Sequence, residues 1–321
     1  MAQSDQREGG TATTPRVLFL GMMGAFSLEP LRALLADGIA VAAVLLPENR
    51  TSAGGASLRP LLPAAPPRAT LPLLTPHLEP SIISLAWERA IPAYALARPV
   101  AGAALSALAG LGADALAVAC WPWRLPPALL ALPRHGALNL HPALLPAHRG
   151  PAPLFWMLRA GDATAGVTIH QMDATLDAGA IVAQAPVPLR DGEPGDALER
   201  RCAETGGRLL AQSVRALVAG TARPAPQGAG GSYEPWPQAP DFAVPLDRSA
   251  RRAFNFIRGT AHWGEPHTLA VDGARYHIRE ALAYDMSATL EAPVVRHGAR
   301  LRVRCAPGVL DVLADPLSAE C

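Results

Sequence analysis

The chain contains no lysine: all 28 basic residues are arginine, set against 27 acidic ones, for a net charge of +1. A lysine base or Schiff-base residue is therefore excluded, and the broad cationic field that drives nonspecific nucleic-acid binding is absent. Cysteine is scarce, and Cys120, Cys202, Cys305 and Cys321 are widely scattered. Without a C-x-x-C pair or metal-ligand spacing, the expectation is a reduced, cytoplasmic protein with no metal site. No apolar run reaches membrane-spanning length, and the polar start MAQSDQREGGTATT resembles neither a signal peptide nor an ordered element, so no membrane association is expected. The glycine turn at Gly21 and Gly24 lacks the G-x-G-x-x-G spacing of a dinucleotide site.

What is present is a hydrophobic chain, 50% over 321 residues, long enough for two domains. A strand over 17–20, a glycine turn and a helix N-capped by Ser27, with Leu28, Leu31, Leu34 and Leu35 apolar, open a βαβ unit. Further strands over 41–46, 91–97, 115–120 and 181–187, with helices over 100–111, 153–160 and 196–218, predict a doubly wound, mostly parallel α/β sheet. A loop over 47–76, rich in Pro, Gly, Ser and Thr, carries only Arg50, Arg59 and Arg68 as basic residues. Residues 221–240 read as a semi-extended Pro/Gly linker. Beyond it, a helix over 249–258 and alternating runs over 268–271, 276–281, 299–305 and 309–312 predict a small β-barrel. The expected divisions are a disordered tail over 1–15, a catalytic domain over 16–220, the linker over 221–240 and an accessory barrel over 241–321.

The most informative stretch is Asn139-Leu140-His141-Pro142. Two residues apart on a strand, Asn139 and His141 project from one face, and Pro142 ends the ladder. An amide that donates to a developing oxyanion and an imidazole that moves protons near neutral pH suit attack on a carbonyl. A carboxylate to orient the imidazole is offered downstream by Asp177, in an Asp-x-Gly turn after the strand-like run 166–172. Taken singly, a His-Pro at a strand end and an Asp-x-Gly turn are ordinary structure. His170, on a strand of period-two character, could face the site but reads first as a solvated or structurally bonded histidine, and His148 reads as either an acceptor contact or a surface turn.

Taken together, N-x-H-P-x-L-L-P-x-x-R-G, then G-V-T-x-H-x-M-D, then L-D-x-G resembles the folate-dependent formyltransferases, among them the methionyl-tRNA and glycinamide ribonucleotide enzymes. The resemblance is close over 16–189 and continues more loosely over 242–313, where it implies an open barrel of the oligonucleotide-binding type. It implies Asn139, His141 and Asp177 as catalytic residues. It also implies N10-formyltetrahydrofolate as donor, held along Trp121, Pro122, Trp123, Arg124 and Leu125 and by Leu176. Ala143 departs from the family, where serine is common.

The acceptor is then a primary amine, on initiator methionyl-tRNA or on a small molecule such as an amino sugar nucleotide. The two-domain layout favours the first. The His-containing G-V-T-I-H and a region 241–321 with ten arginines against ten acidic residues favour the second. Any tRNA contact should centre on Arg248, Arg251, Arg252 and Arg258. Water as acceptor, giving a formyltetrahydrofolate hydrolase, and a silent RNA- or folate-binding module are the other readings; an intact Asn139, His141 and Asp177 argues against the module.

Overall fold

Alternate residues of β1 (Arg16–Gly21) enter opposite layers, as a strand buried on both faces requires: Val17 and Phe19 join one hydrophobic core, Leu18 and Leu20 the other. The computed structural model describes residues 14–51, 57–63, 80–100 and 102–317. Within them β1 is the centre of an eight-stranded sheet completed by β2 (Ala40–Thr51), β3 (Leu58–Pro60), β4 (Ala93–Arg98), β5 (Ala115–Ala119), β6 (Ala137–His141), β7 (Thr164–Gln171) and β8 (Ile181–Pro188), in the order β3-β4-β2-β1-β5-β6-β7-β8. The five strands β4, β2, β1, β5 and β6 run parallel, whereas β3, β7 and β8 add to the edges antiparallel. The sheet is thus doubly wound and mostly parallel, and its strand order reverses between β1 and β5. That reversal opens the crevice at the carboxyl ends in which such sheets bind ligands.

Helices cover both faces. α1 (Ala25–Ala36), α2 (Ile82–Glu88) and the long α6 (Gly195–Val218) pack on the core that holds Phe19, while α3 (Ala103–Ala109) and α4 (Pro127–Leu130) pack on the core that holds Leu18. α1 starts two residues before the expected cap. Gly24 makes the turn at φ +126°, and the helix begins at Ala25. Ser27 is instead buried inside the first turn, where its hydroxyl donates to Ala119 O at 2.7 Å and accepts the Met22 N–H at 2.9 Å. It ties the β1–α1 turn to the end of β5, across the reversal point.

The expected loop over 47–76 is structured at both margins: β2 runs on to Thr51, and β3 pairs with β4. Arg59 pairs with Glu48 at 3.1 Å. The side chain of Arg50, Arg68, the rest of that loop and most of the expected N-terminal tail lie outside the described residues.

The C-terminal strands β9 (His267–Val271), β10 (Ala274–Asp285), β11 (Val294–His297), β12 (Arg300–Arg304) and β13 (Val309–Pro316) form an antiparallel sheet in the order β11-β12-β13-β10-β9, open because β11 and β9 share no ladder. Two register shifts bend β10 where it pairs with β13. The sheet is covered by α7 (Ala250–Thr260), which Ser249 caps by accepting the Arg252 N–H. Between the two sheets lies α5 (Pro153–Ala160), whose Phe155 meets Phe242, Phe256 and Trp263 at ring centroid separations of 4.9, 5.5 and 5.4 Å. The junction is apolar and aromatic, and Phe242 and Phe256 belong to the core of the large sheet. Residues 221–240, expected as weakly folded chain, are extended but bonded. Ala225 bridges Ile181, Tyr233 bridges Arg149, and the Trp156 indole donates to Pro235 O at 2.8 Å.

His267 marks the base of α7. Thr260 donates its hydroxyl to Phe256 O, so its oxygen accepts the His267 Nε2–H at 2.7 Å, and burial pushes the His267 pKa down to about 4. The unfolded chain binds a proton here that the native chain refuses. Stability should therefore be flat above the ordinary histidine pKa of ~6.5 and fall as pH drops from there to about 4, by ~3 kcal/mol from this residue alone. Denaturant unfolding at several pH values should show that slope in the wild type and lose this share of it in His267→Gln.

Candidate active site

The end of β6 carries the site. Leu138 and Leu140 enter one core and Ala137 the opposite one, so period-two geometry turns Asn139 and His141 to the Ala137 side together. Strand β7 pairs antiparallel with β6 in a register that sets Asn139 opposite His170 and His141 opposite Thr168. Four polar side chains thus share one patch of an otherwise apolar sheet.

Each is satisfied in a particular way. Thr168, fully buried, donates to Ala143 O at 2.6 Å and accepts from the Leu145 N–H and the Gln184 amide, which fixes the turn after Pro142. His170 lies 2.8 Å from Gln171 O through Nδ1; a carbonyl only accepts, so Nδ1 bears the proton and Nε2 accepts from Asn139 Nδ2 at 3.1 Å. Burial first, and the neighbouring His141 as well, hold the His170 pKa below the ordinary histidine value, so it is the neutral ring that orients the Asn139 amide. His141 is buried too, and its Nε2 donates to His148 O at 2.8 Å.

Asp177 comes from the loop after β7 and is only 8% exposed, at φ +52°. Its Oδ2 accepts the Gly150 N–H at 2.9 Å and stands 3.8 Å from His141 Nδ1, while Oδ1 stands 3.7 Å from His170 Nε2. The carboxylate therefore lies between two imidazoles and is bonded to a backbone amide. Two glycines permit this approach. A Cβ on Gly150 would come within 2.1 Å of Glu234 O, and one on Gly179 within 1.9 Å of Gln171 O.

The segment beyond β5 carries the other expected contacts. Trp121 and Trp123 pack edge to face, 4.8 Å between centroids, against the core that contains buried Leu125, and Met172 at the end of β7 packs against the same core. The two indole N–H groups are buried without a hydrogen-bond partner among the described residues. Unpaired donors of this kind fit a flat, acceptor-rich ligand at this end of the sheet. Pro122 and Arg124 are exposed, and Leu176 is half-buried in the Asp177 loop. Two other grooves lie away from this site: one of about 430 Å³ between α7 and the C-terminal sheet, and one of about 300 Å³ along β3 and β4.

The structure thus brings Asn139, His141 and Asp177 to one place together with His170, which is buried rather than solvated, structurally bonded, and turned to the site face. Its signal was available: period-two spacing on the antiparallel neighbour of β6. No local motif marks Gln227, whose amide donates to Asp177 O and Gly179 O at 2.7 and 2.9 Å and accepts from Arg149. Nor does one mark Ser232, which accepts the His148 N–H at 2.9 Å. The His148 ring, expected at an acceptor contact or in a surface turn, bonds Asp162 at 2.8 Å and faces Glu234 at 3.5 Å.

Residues 86–214 match the formyl transferase family model. A methionyl-tRNA formyltransferase of Anaeromyxobacter dehalogenans is 34% identical over 302 residues, which span 91% of this chain and 89% of that one. A second, from Pelobacter propionicus, is 30% identical over 92% of this chain and 86% of its own length. Among solved structures, an N-formyltransferase from Helicobacter canadensis, in complex with folinic acid and dTDP-3-aminofucose, aligns at TM-score 0.63 and 12% identity over 95% of this chain and 100% of that one. HypX from Aquifex aeolicus aligns at 0.56 and 15%, covering 94% of this chain and 44% of its own. These structural likenesses carry the fold, and the sequence relatives carry the family. The chain belongs to the folate-dependent formyltransferases, as a methionyl-tRNA formyltransferase-like N-formyltransferase.

Proposed function

We propose that this enzyme transfers the formyl group of N10-formyltetrahydrofolate to a primary amine through Asn139, His141 and Asp177. The observation that carries the reading is the convergence of an oriented amide, a tethered imidazole and a buried carboxylate at the carboxyl end of β6. The donor supplies a formyl carbon open to attack, and Trp121, Trp123, Leu125 and Leu176 would hold it, their unpaired indole N–H groups being the feature that fits.

Asn139 needs no reorientation. His170 fixes one amide hydrogen, leaving the other to meet the negative charge that develops on the formyl oxygen. His141 keeps its proton at Nε2, where the His148 carbonyl can only accept, so Nδ1 is the nitrogen that exchanges protons. Protonated there, His141 adds its positive charge to the oxyanion site. Asp177 faces that nitrogen, supports its charge and takes up the proton that the attacking amine must shed. One proton leaves the amine and one reaches the departing nitrogen, so the exchange balances without a covalent enzyme intermediate.

The acceptor is a small-molecule amine on this reading. In the helix expected to meet tRNA, Arg251 pairs with Asp191 at 3.0 Å, Arg258 donates to Gly192 O at 2.9 Å, and the Arg252 guanidinium donates to Arg159 O. Burial holds the Arg252 pKa below its ordinary value, and the helix spends these charges on the junction with the large sheet. On the C-terminal sheet, Arg300 pairs with Asp311, and Arg279 pairs with Asp315 at 3.2 Å. The second reading, methionyl-tRNA as acceptor, is favoured by relatives of that name that align along nearly the whole chain.

Asn139→Ala should lower kcat by ~10²- to 10³-fold with the fold retained, followed by the absorbance change as N10-formyltetrahydrofolate is consumed; wild-type turnover in the variant would remove Asn139 from the reaction. For the acceptor, amino sugar nucleotides should be formylated, and tRNA should bind weakly at physiological salt. Each neutralised duplex phosphate contributes about −0.9 to the slope of log affinity against log salt. A steep slope, with charged initiator tRNA as the preferred acceptor, would establish the second reading.

A further inference from the structure

The segment after α6 contributes no group to the proposed chemistry, yet one of its side chains bonds the backbone of the Asp177 loop and the arginine that precedes Gly150. Gln227 donates one amide hydrogen to Asp177 O at 2.7 Å and the other to Gly179 O at 2.9 Å. Its Oε1 accepts from Arg149 Nε at 3.1 Å and from Nη2 at 2.7 Å. Arg149 directly precedes Gly150, whose N–H meets the Asp177 carboxylate at 2.9 Å. A closed ring results: from the carboxylate to the Gly150 amide, along one residue to the Arg149 guanidinium, through Gln227, and back to the Asp177 backbone.

We propose that Gln227 is a positioning residue for the transfer, fixing the Asp177 carboxylate relative to His141. Asp177 needs such a hold. It sits at φ +52°, a conformation that a non-glycine residue keeps only where its surroundings enforce it, and its carboxylate is 3.8 Å from His141 Nδ1, just outside hydrogen-bond range. A small displacement of the loop therefore decides whether the pair can act. An amide is the group the place demands, since only an amide offers two donors to two carbonyls and an acceptor to a guanidinium at once. The chain around Gln227 is itself anchored, by the Ala225–Ile181 bridge before it and by the Ser232 contacts to Pro146 and His148 after it. The segment that joins the two sheets is accordingly part of the active site.

This inference rests on the assignment of Asp177 to the reaction, and the test separates the two. Gln227→Met removes all four bonds at similar volume. Gln227→Glu keeps the pairing with Arg149 but turns an acceptor toward two carbonyl oxygens, and serves if the first variant does not fold. Both are made in the full-length chain, alone and together with Asp177→Asn. Turnover of N10-formyltetrahydrofolate is followed with an amino sugar nucleotide, with charged initiator tRNA and with no acceptor, alongside hydrogen–deuterium exchange of the 144–152 and 173–181 segments. We expect faster exchange in both segments. We also expect kcat to fall ~10- to 100-fold with the donor KM little changed, the size of loss that a misplacement near 1 Å produces, and no further loss when Asp177→Asn is already present. Unchanged exchange in those segments, or an equal loss with and without Asp177→Asn, would overturn the positioning role. If Asp177→Asn alone leaves turnover intact, the mechanism fails instead, and the exchange arm decides whether Gln227 holds the loop.

Discussion

A buried carboxylate constrains this molecule more than any other group. Burying an unpaired carboxylate costs several kcal/mol, and removing one partner of a buried pair costs about 3–5 kcal/mol, so Asp177 dictates what surrounds it. It receives a backbone N–H on one oxygen and an imidazole facing each oxygen, with its own carbonyl bonded by a side-chain amide. Its partners come from different parts of the chain, Gly150 from the turn after β6, His141 from β6 and Gln227 from the connection between the two sheets, while the His170 ring from β7 faces it with an unprotonated Nε2. One acidic side chain thus couples the edge of the large sheet to the segment that leads to the small one.

That coupling explains the antiparallel addition of β7. A parallel neighbour would need a crossover connection and would present its own carboxyl end beside His141. The antiparallel pairing instead runs β7 back along β6, so that His170 lies beside Asn139 and the chain turns into the Asp177 loop within a few residues. Hydrogen bonding then gives the two histidines different surroundings. The neutral His170 ring, its pKa held down by burial, is a fixed acceptor for the Asn139 amide, while His141 turns Nδ1 toward the carboxylate.

With no lysine in the chain, arginine staples the backbone. Arg252 donates to Arg159 O, Arg159 to Ala243 O, Arg201 to Pro188 O and Arg258 to Gly192 O. A planar guanidinium with five donors suits carbonyl oxygens and carboxylates that must be met at a set angle. Around the aromatic junction these bonds satisfy backbone acceptors at the joins between elements.

The sequence by itself determined the class of sheet, the helix over 153–160 and the shared face of Asn139 and His141, because each follows from local periodicity and from Pro142 ending a ladder. It also determined the family, through motifs that keep their order over some forty residues. It could not determine the β6–β7 register that makes His170 the partner of Asn139, since register is set between strands. Nor could it show that Ser27 works inside its helix rather than as the cap, because Gly24 takes over the turn. Only the tertiary structure decided that an apparently featureless Pro/Gly connection delivers Gln227 to Asp177. No periodicity or motif marks a residue whose role is to satisfy, from fifty positions away, the backbone of a loop held at positive φ.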